Sequence, residues 1–233
     1  MELQPDIHVV DGVNCNVYVI LEADGLTLID TGIPGSDKKV VAYLERIGRS
    51  LRDVRRIVLT HQHPDHIGNL ATLVAASGAE TFADPLDTPA IDGTGPRELP
   101  TSPIMRFMMQ TLFIRRIKPV TIQRQVREGE TLPVLASDGG LQVIETHGHT
   151  VGHISLYLPG RRLLFVGDVY GHSNGDVSMT PKMFNHDTPQ TLRSMAKLAT
   201  FDIEASLPGH GAPILTGAGD KLRMVVERAG IKQ

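Results

Sequence analysis

Short apolar, β-branched runs alternate along the chain with turn residues and with segments whose apolar positions recur every three or four residues, a pattern that predicts strands interleaved with helices. Residues 7–10, 14–21 and 26–30 read as a three-strand meander with a turn at Asp24-Gly25. Ser36 stands where it would cap a helix reaching about residue 47, with Val40, Val41, Leu44 and Ile47 on one face. Arg56-Ile57-Val58-Leu59 reads as a buried strand, a helical pattern then runs from Pro64 through Ala76, and another strand ends near Ala83. In the second half, apolar runs at 141–144, 163–166 and 205–207 predict strands, turns fall at Asp138-Gly139-Gly140 and Pro159-Gly160, and helices are expected over 188–200 and 217–229.

Between Asp84 and Lys118 this regularity breaks. Pro85, Pro89, Gly93, Gly95, Pro96, Pro100 and Pro103 interrupt it, and residues 104–116 follow as a helix rich in methionine and phenylalanine. A helical insert or lid is expected at about 84–118, with Met105, Phe107, Met108, Leu112 and Phe113 as pocket-wall candidates for an acyl chain. A helix packed on the core and a dimer contact are the competing readings. Arg115, Arg116 and Lys118 read as complement to the helix dipole and as solvated surface.

The chemistry lies at the strand ends. Thr60-His61-Gln62-His63-Pro64-Asp65-His66 places four metal-competent side chains within six residues, where a strand gives way to a helix. The same design recurs three times: His147-Gly148-His149-Thr150-Val151-Gly152-His153 follows one apolar run, Gly167-Asp168 ends the next, and Pro208-Gly209-His210-Gly211 ends the last. Strand ends converging on one sheet edge build a rigid multidentate site without sequence proximity.

These motifs, with Leu28-Ile29-Asp30-Thr31-Gly32 upstream, make the chain resemble the metallo-beta-lactamase-fold hydrolase superfamily over nearly its whole length. The resemblance implies one α/β domain over 1–233, the four-layer αββα sandwich of that superfamily, with the insert added. It implies His61, His63 and His149 as ligands of a first metal and Asp65, His66 and His210 as ligands of a second, with Asp168 bridging the two and Asp30 ending a buried strand beneath them. Two divalent ions per chain are implied, zinc first, with iron or manganese as alternatives. Two dications close together repel, so a shared carboxylate and a shared hydroxide neutralise the pair, and bound water becomes a nucleophile at neutral pH. His153 is expected to orient its neighbour His149, whereas His172 and His186 read as surface polar residues and His8 has no assigned role.

Hydrolysis of a small ester-like substrate, a lactone or thioester, is the reading that follows, with Asp65 positioning the nucleophile and passing a proton to the leaving group. Tyr170 is a further catalytic candidate, because acyl-homoserine lactonases of the superfamily carry a substrate-contacting phenol just after the bridging aspartate, although one residue further on. Zinc beta-lactamases sharing the His-x-His-x-Asp-His pattern lack a bridging carboxylate at the place of Asp168, and other subclasses need a cysteine ligand that Cys15 is not placed to supply. Hydroxyacylglutathione hydrolases carry a longer C-terminal helical extension than residues 211–233 provide. A phosphodiesterase or nuclease, a mononuclear iron persulfide dioxygenase and a non-catalytic metal-binding protein are the alternatives.

Composition narrows the partners to small molecules. The chain has 233 residues, 41% of them hydrophobic, enough for a large core, and its net charge of −3 argues against a strongly basic nucleic-acid-binding surface. Cys15 is the lone cysteine and reads as a buried small apolar residue. Residues 1–5 lack a secretory pattern, and nothing approaches the about 18 consecutive apolar residues of a membrane span, so a cytoplasmic soluble protein is expected, with homodimerisation open.

Overall fold

The structure is a computed structural model that describes residues 1–10, 12–98 and 103–230, with backbone alone for 103–105. The chain divides into two compact units, Met1–Gln125 and Val126–Gln233.

The first unit is built on a seven-stranded sheet whose spatial order follows the sequence: β1 (Glu2–Gln4), β2 (Ile7–Val10), β3 (Val17–Glu22), β4 (Gly25–Ile29), β5 (Val54–Val58), β6 (Glu80–Ala83) and β7 (Arg124–Gln125). The strands are antiparallel as far as β4 and parallel from β4 to β7. With parallel neighbours on both sides, β5 buries Ile57 and Val58 completely, which is why its apolar run shows through the sequence. β3 begins three residues later than expected, because Asn14 takes a left-handed turn conformation at φ 77° and residues 12–15 form turns and bends. Cys15 sits in that bend, buried as expected.

Helix α1 (Asp37–Arg46) buries Val40, Tyr43 and Leu44, so Tyr43 takes a core position where Val41 was expected. The helix expected over 64–76 is two: α2 (Pro64–Ile67) and α3 (Leu70–Ser77). Asn69 lies at the break. Its amide donates to Thr31 O at 2.6 Å, to Ile33 O at 2.8 Å and to Ser36 Oγ at 2.9 Å, a tertiary demand that outweighs one more helical turn. The expected insert region carries α4 (Thr88–Asp92) and α5 (Pro103–Leu112). Pro100 and the side chain of Met105 lie outside the described residues.

The second unit holds a five-stranded sheet of β8 (Thr131–Leu132), β9 (Leu141–Glu145), β10 (Ile154–Leu158), β11 (Leu163–Gly167) and β14 (Ala205–Pro208), in the order β14-β11-β10-β9-β8. All its pairings are antiparallel except β11 with β14. The hairpin of β12 (Tyr170–Ser173) and β13 (Asp176–Met179) stands apart from this sheet. Helices α6 (Thr188–Leu198) and α7 (Ala218–Arg228) supply Met195, Leu198, Leu222 and Val226 to a core shared with Leu164, Val166 and Tyr170. Among the described residues no helix is long and apolar enough to cross a membrane.

Candidate metal centre

Parallel strands end on the same edge of a sheet, and this places the candidate ligands of each unit together. In the first unit β4 and β5 run parallel; Asp30 directly follows β4, and Thr60 and His61 lie just beyond β5. The buried Asp30 carboxylate accepts from Thr60 N and Thr60 Oγ1, each at 2.8 Å, and from His66 Nδ1 at 2.8 Å. A hydroxyl has one proton. Since Thr60 gives its own to Asp30, His61 Nδ1, 3.0 Å from Thr60 Oγ1, must donate to it, which leaves the lone pair of His61 on Nε2. The same logic puts the lone pair of His66 on Nε2, because its Nδ1 donates to Asp30.

His61 Nε2 lies 3.1 Å from His63 Nδ1, and the His61 and His66 rings are 4.0 Å apart between centroids. His63 caps α2 in the extended conformation that a following proline favours, and Asp65 stands in the first turn, where a helix N-terminus favours a carboxylate. Asn14 Nδ2 donates to Asp65 Oδ2 at 3.3 Å, and Cys15 Sγ donates to Asp65 O at 2.8 Å. The turn is tied down on its other side by Asp87, a buried carboxylate that accepts from Gln62 N at 2.9 Å.

In the second unit β9 and β11 are both antiparallel to β10, and β14 is parallel to β11, so His149, Asp168 and His210 all follow strands that end on one edge. Asp168 Oδ2 lies 3.6 Å from His149 Nε2 and 3.3 Å from His210 Nε2. His149 Nδ1 donates to Asn185 Oδ1 at 3.0 Å, so its Nε2 carries a lone pair facing the carboxylate. Two electron-pair donors converging in this way are what a cation between them completes, and the donor set of imidazole nitrogens and a carboxylate suits a borderline divalent ion. The residues present therefore fit a metal.

The surroundings hold this arrangement in place. His153 Nε2 accepts from Asp168 N at 2.8 Å, its Nδ1 donates to Thr146 Oγ1 at 2.8 Å, and Thr180 Oγ1 donates to Asp168 O at 2.7 Å. Beside His149, Gly148 has φ +127°, and a Cβ there would lie 2.2 Å from Thr191 N, so only glycine lets the turn close against α6.

Tyr170 is fully buried in the core of the second unit, and its hydroxyl lies 3.1 Å from Ser206 Oγ. Burial also pushes its hydroxyl above the ordinary tyrosine range. His172, expected on the surface, is buried, and burial lowers its pKa and favours the neutral ring. Sequence reasoning missed Asn185, which orients His149 across 36 residues of chain and leaves no local signal. Thr60 could have been found, since it immediately precedes the first ligand.

The sequence profile of the metallo-beta-lactamase superfamily matches residues 10–210. The chain belongs to this superfamily. Among its relatives, a probable metallo-hydrolase of Bacillus subtilis (strain 168) is 29% identical over 220 residues, covering 85% of this chain and 81% of that protein. A hydroxyacylglutathione hydrolase of Idiomarina loihiensis is 28% identical over 194 residues, covering 82% of this chain but only 59% of that protein. The crystal structure of a metallo-beta-lactamase family protein from Thermus thermophilus superposes with a TM-score of 0.74 at 22% identity, over 98% of this chain and 81% of that one. BJP-1, a subclass B3 metallo-beta-lactamase of Bradyrhizobium japonicum, gives 0.72 at 22% identity over 97% and 88%. These likenesses show the fold, the α/β metallo-beta-lactamase type expected from the sequence. This superfamily member is thus a metal-dependent hydrolase by family, with His/Asp clusters able to hold divalent metal ions.

Proposed function

We propose that the chain carries a dinuclear metal centre and hydrolyses a small ester-like substrate, a lactone or thioester. His61, His63 and His149 would hold one ion, Asp65, His66 and His210 the other, and Asp168 both, with zinc the leading choice for this donor set. The observation that carries the reading is Asp168 Oδ2 standing between His149 Nε2 and His210 Nε2. Bound there, divalent ions supply Lewis acidity and lower the pKa of a water molecule into the neutral range. Asp65, partly exposed and held by Asn14, orients the attacking water, takes its proton and returns it to the departing alkoxide or thiolate, so that ester and water become acid and alcohol or thiol. Tyr170 is left out of the reacting group.

The hydroxyacylglutathione hydrolase relatives favour a thioester or related acyl compound. On helix α5, Phe107, Met108 and Leu112 are exposed rather than packed in the core, which counts against the core-helix reading and fits a pocket wall or a dimer contact.

A panel of lactones, thioesters, beta-lactams and phosphodiesters tests the substrate class, and kcat/KM for lactones or thioesters should exceed that for phosphodiesters by about 100-fold or more. Preference for phosphodiesters, or oxygen uptake with glutathione persulfide in place of hydrolysis, would overturn it. Phe107, 69% exposed, tests the lid. Phe107→Ser should raise KM for long acyl chains with little change in Tm, whereas a core phenylalanine would cost about 3 to 5 kcal/mol of stability.

A further inference from the structure

Three buried residues that the proposed chemistry does not use converge on the turn that carries His210. β14 ends at Pro208, and the segment beyond it returns to pair through Ile214, where Ser206 and Ile214 exchange backbone hydrogen bonds of 2.8 and 3.0 Å. Inside this closed loop, His172 N donates to His210 O at 3.1 Å, and His172 Nδ1 lies 2.8 Å from Ala212 O. Between these two anchors, Gly211 has φ +96°, and a Cβ on it would fall 2.1 Å from His172 O. The turn and β12 are therefore in backbone contact, and the His172 side chain sets their register. Tyr170 and His172 share the inward face of β12, two residues apart.

The hydrogen bonds have one consistent direction. A carbonyl only accepts, so His172 Nδ1 donates to Ala212 O, and in the neutral ring Nε2 is then an acceptor. Ser206 Oγ, 3.2 Å away, must donate to that Nε2, and its oxygen is left to accept from the Tyr170 hydroxyl at 3.1 Å. The polar protons of the three side chains thereby run in one direction, from the Tyr170 hydroxyl through Ser206 and His172 to the Ala212 carbonyl.

We propose that Tyr170, Ser206 and His172 are positioning residues: a buried relay that holds the His210 turn and so sets the affinity for the ion His210 serves. This rests on the reading of His210 as a ligand. Partners that orient a ligand typically affect metal affinity by about 10- to 100-fold.

The test titrates zinc into metal-stripped full-length protein in competition with a coloured chelator, with circular dichroism and Tm recorded for each variant. His172→Leu should weaken the site that His210→Ala weakens about 10- to 100-fold and leave the other near wild type. His172→Asn keeps a donor close to the Nδ1 position and should recover most of that loss, which a purely space-filling role would not explain. Tyr170→Phe and Ser206→Ala conserve shape and should give smaller losses in the same site, and they carry the test should His172→Leu not fold. His210→Ala separates the two ideas: two unchanged sites in that variant overturn the ligand reading. Loss of one site in His210→Ala alongside wild-type affinity in Ser206→Ala, Tyr170→Phe and any folded His172→Leu overturns the relay.

Discussion

Asp168→Ala is expected to weaken binding of both ions and to lower turnover by about 100-fold or more, with the circular dichroism spectrum close to wild type. The reason is geometric. One carboxylate oxygen of Asp168 is flanked by His149 Nε2 and His210 Nε2 at 3.6 and 3.3 Å, so its removal takes the anion from between two nitrogen donors on that sheet edge. The backbone contacts that place residue 168, from its N–H to His153 and from Thr180 to its carbonyl, survive the substitution, which is why the fold should persist. Metal analysis of the purified variant with steady-state kinetics decides the matter, and wild-type turnover in Asp168→Ala would remove this residue from the centre.

Purified protein should carry about two equivalents of divalent metal per chain, and stripping them should abolish activity and lower Tm together. A ligand held at roughly 1,000 times its Kd stabilises the folded state by about 4 kcal/mol, which for a chain of this size corresponds to a Tm change of roughly 8 to 16 °C. Restoring zinc should return both. Elemental analysis of an active preparation showing one firmly bound ion would defeat the dinuclear reading, and unchanged activity after complete metal removal would defeat metal dependence altogether.

Much of this was legible in the chain because the informative segments are local. β5, β9, β11 and β14 are apolar runs bounded by turn residues, and each lies within two residues of its expected limits. The ligand motifs follow these same strands, so the residues and the elements were read together. Tertiary demands explain what was not visible. The helix after Pro64 breaks at Asn69 because that amide is needed by the chain at 31–36, more than thirty residues away. His172 reads as polar surface in sequence and is interior in the structure, since its partners Ser206 and Ala212 lie 34 and 40 residues further on. Tyr170 follows Asp168 closely enough to suggest contact with substrate, but residue spacing does not reveal which face of β12 turns inward.

Asp30 bears on how such a protein can be improved. It holds a left-handed backbone at φ 61° while its carboxylate takes three hydrogen bonds from Thr60 and His66. A non-glycine residue in that region carries a strain of order 1 kcal/mol or more. Glycine would relieve that strain but would leave three buried donors, Thr60 N, Thr60 Oγ1 and His66 Nδ1, without their acceptor, at a cost of about 1 to 3 kcal/mol each, so the hydrogen bonds outweigh the strain. A screen for heat resistance and a screen for turnover would both keep aspartate there. Robustness and chemistry therefore pull this one position in the same direction, and an engineering campaign gains nothing by opening it.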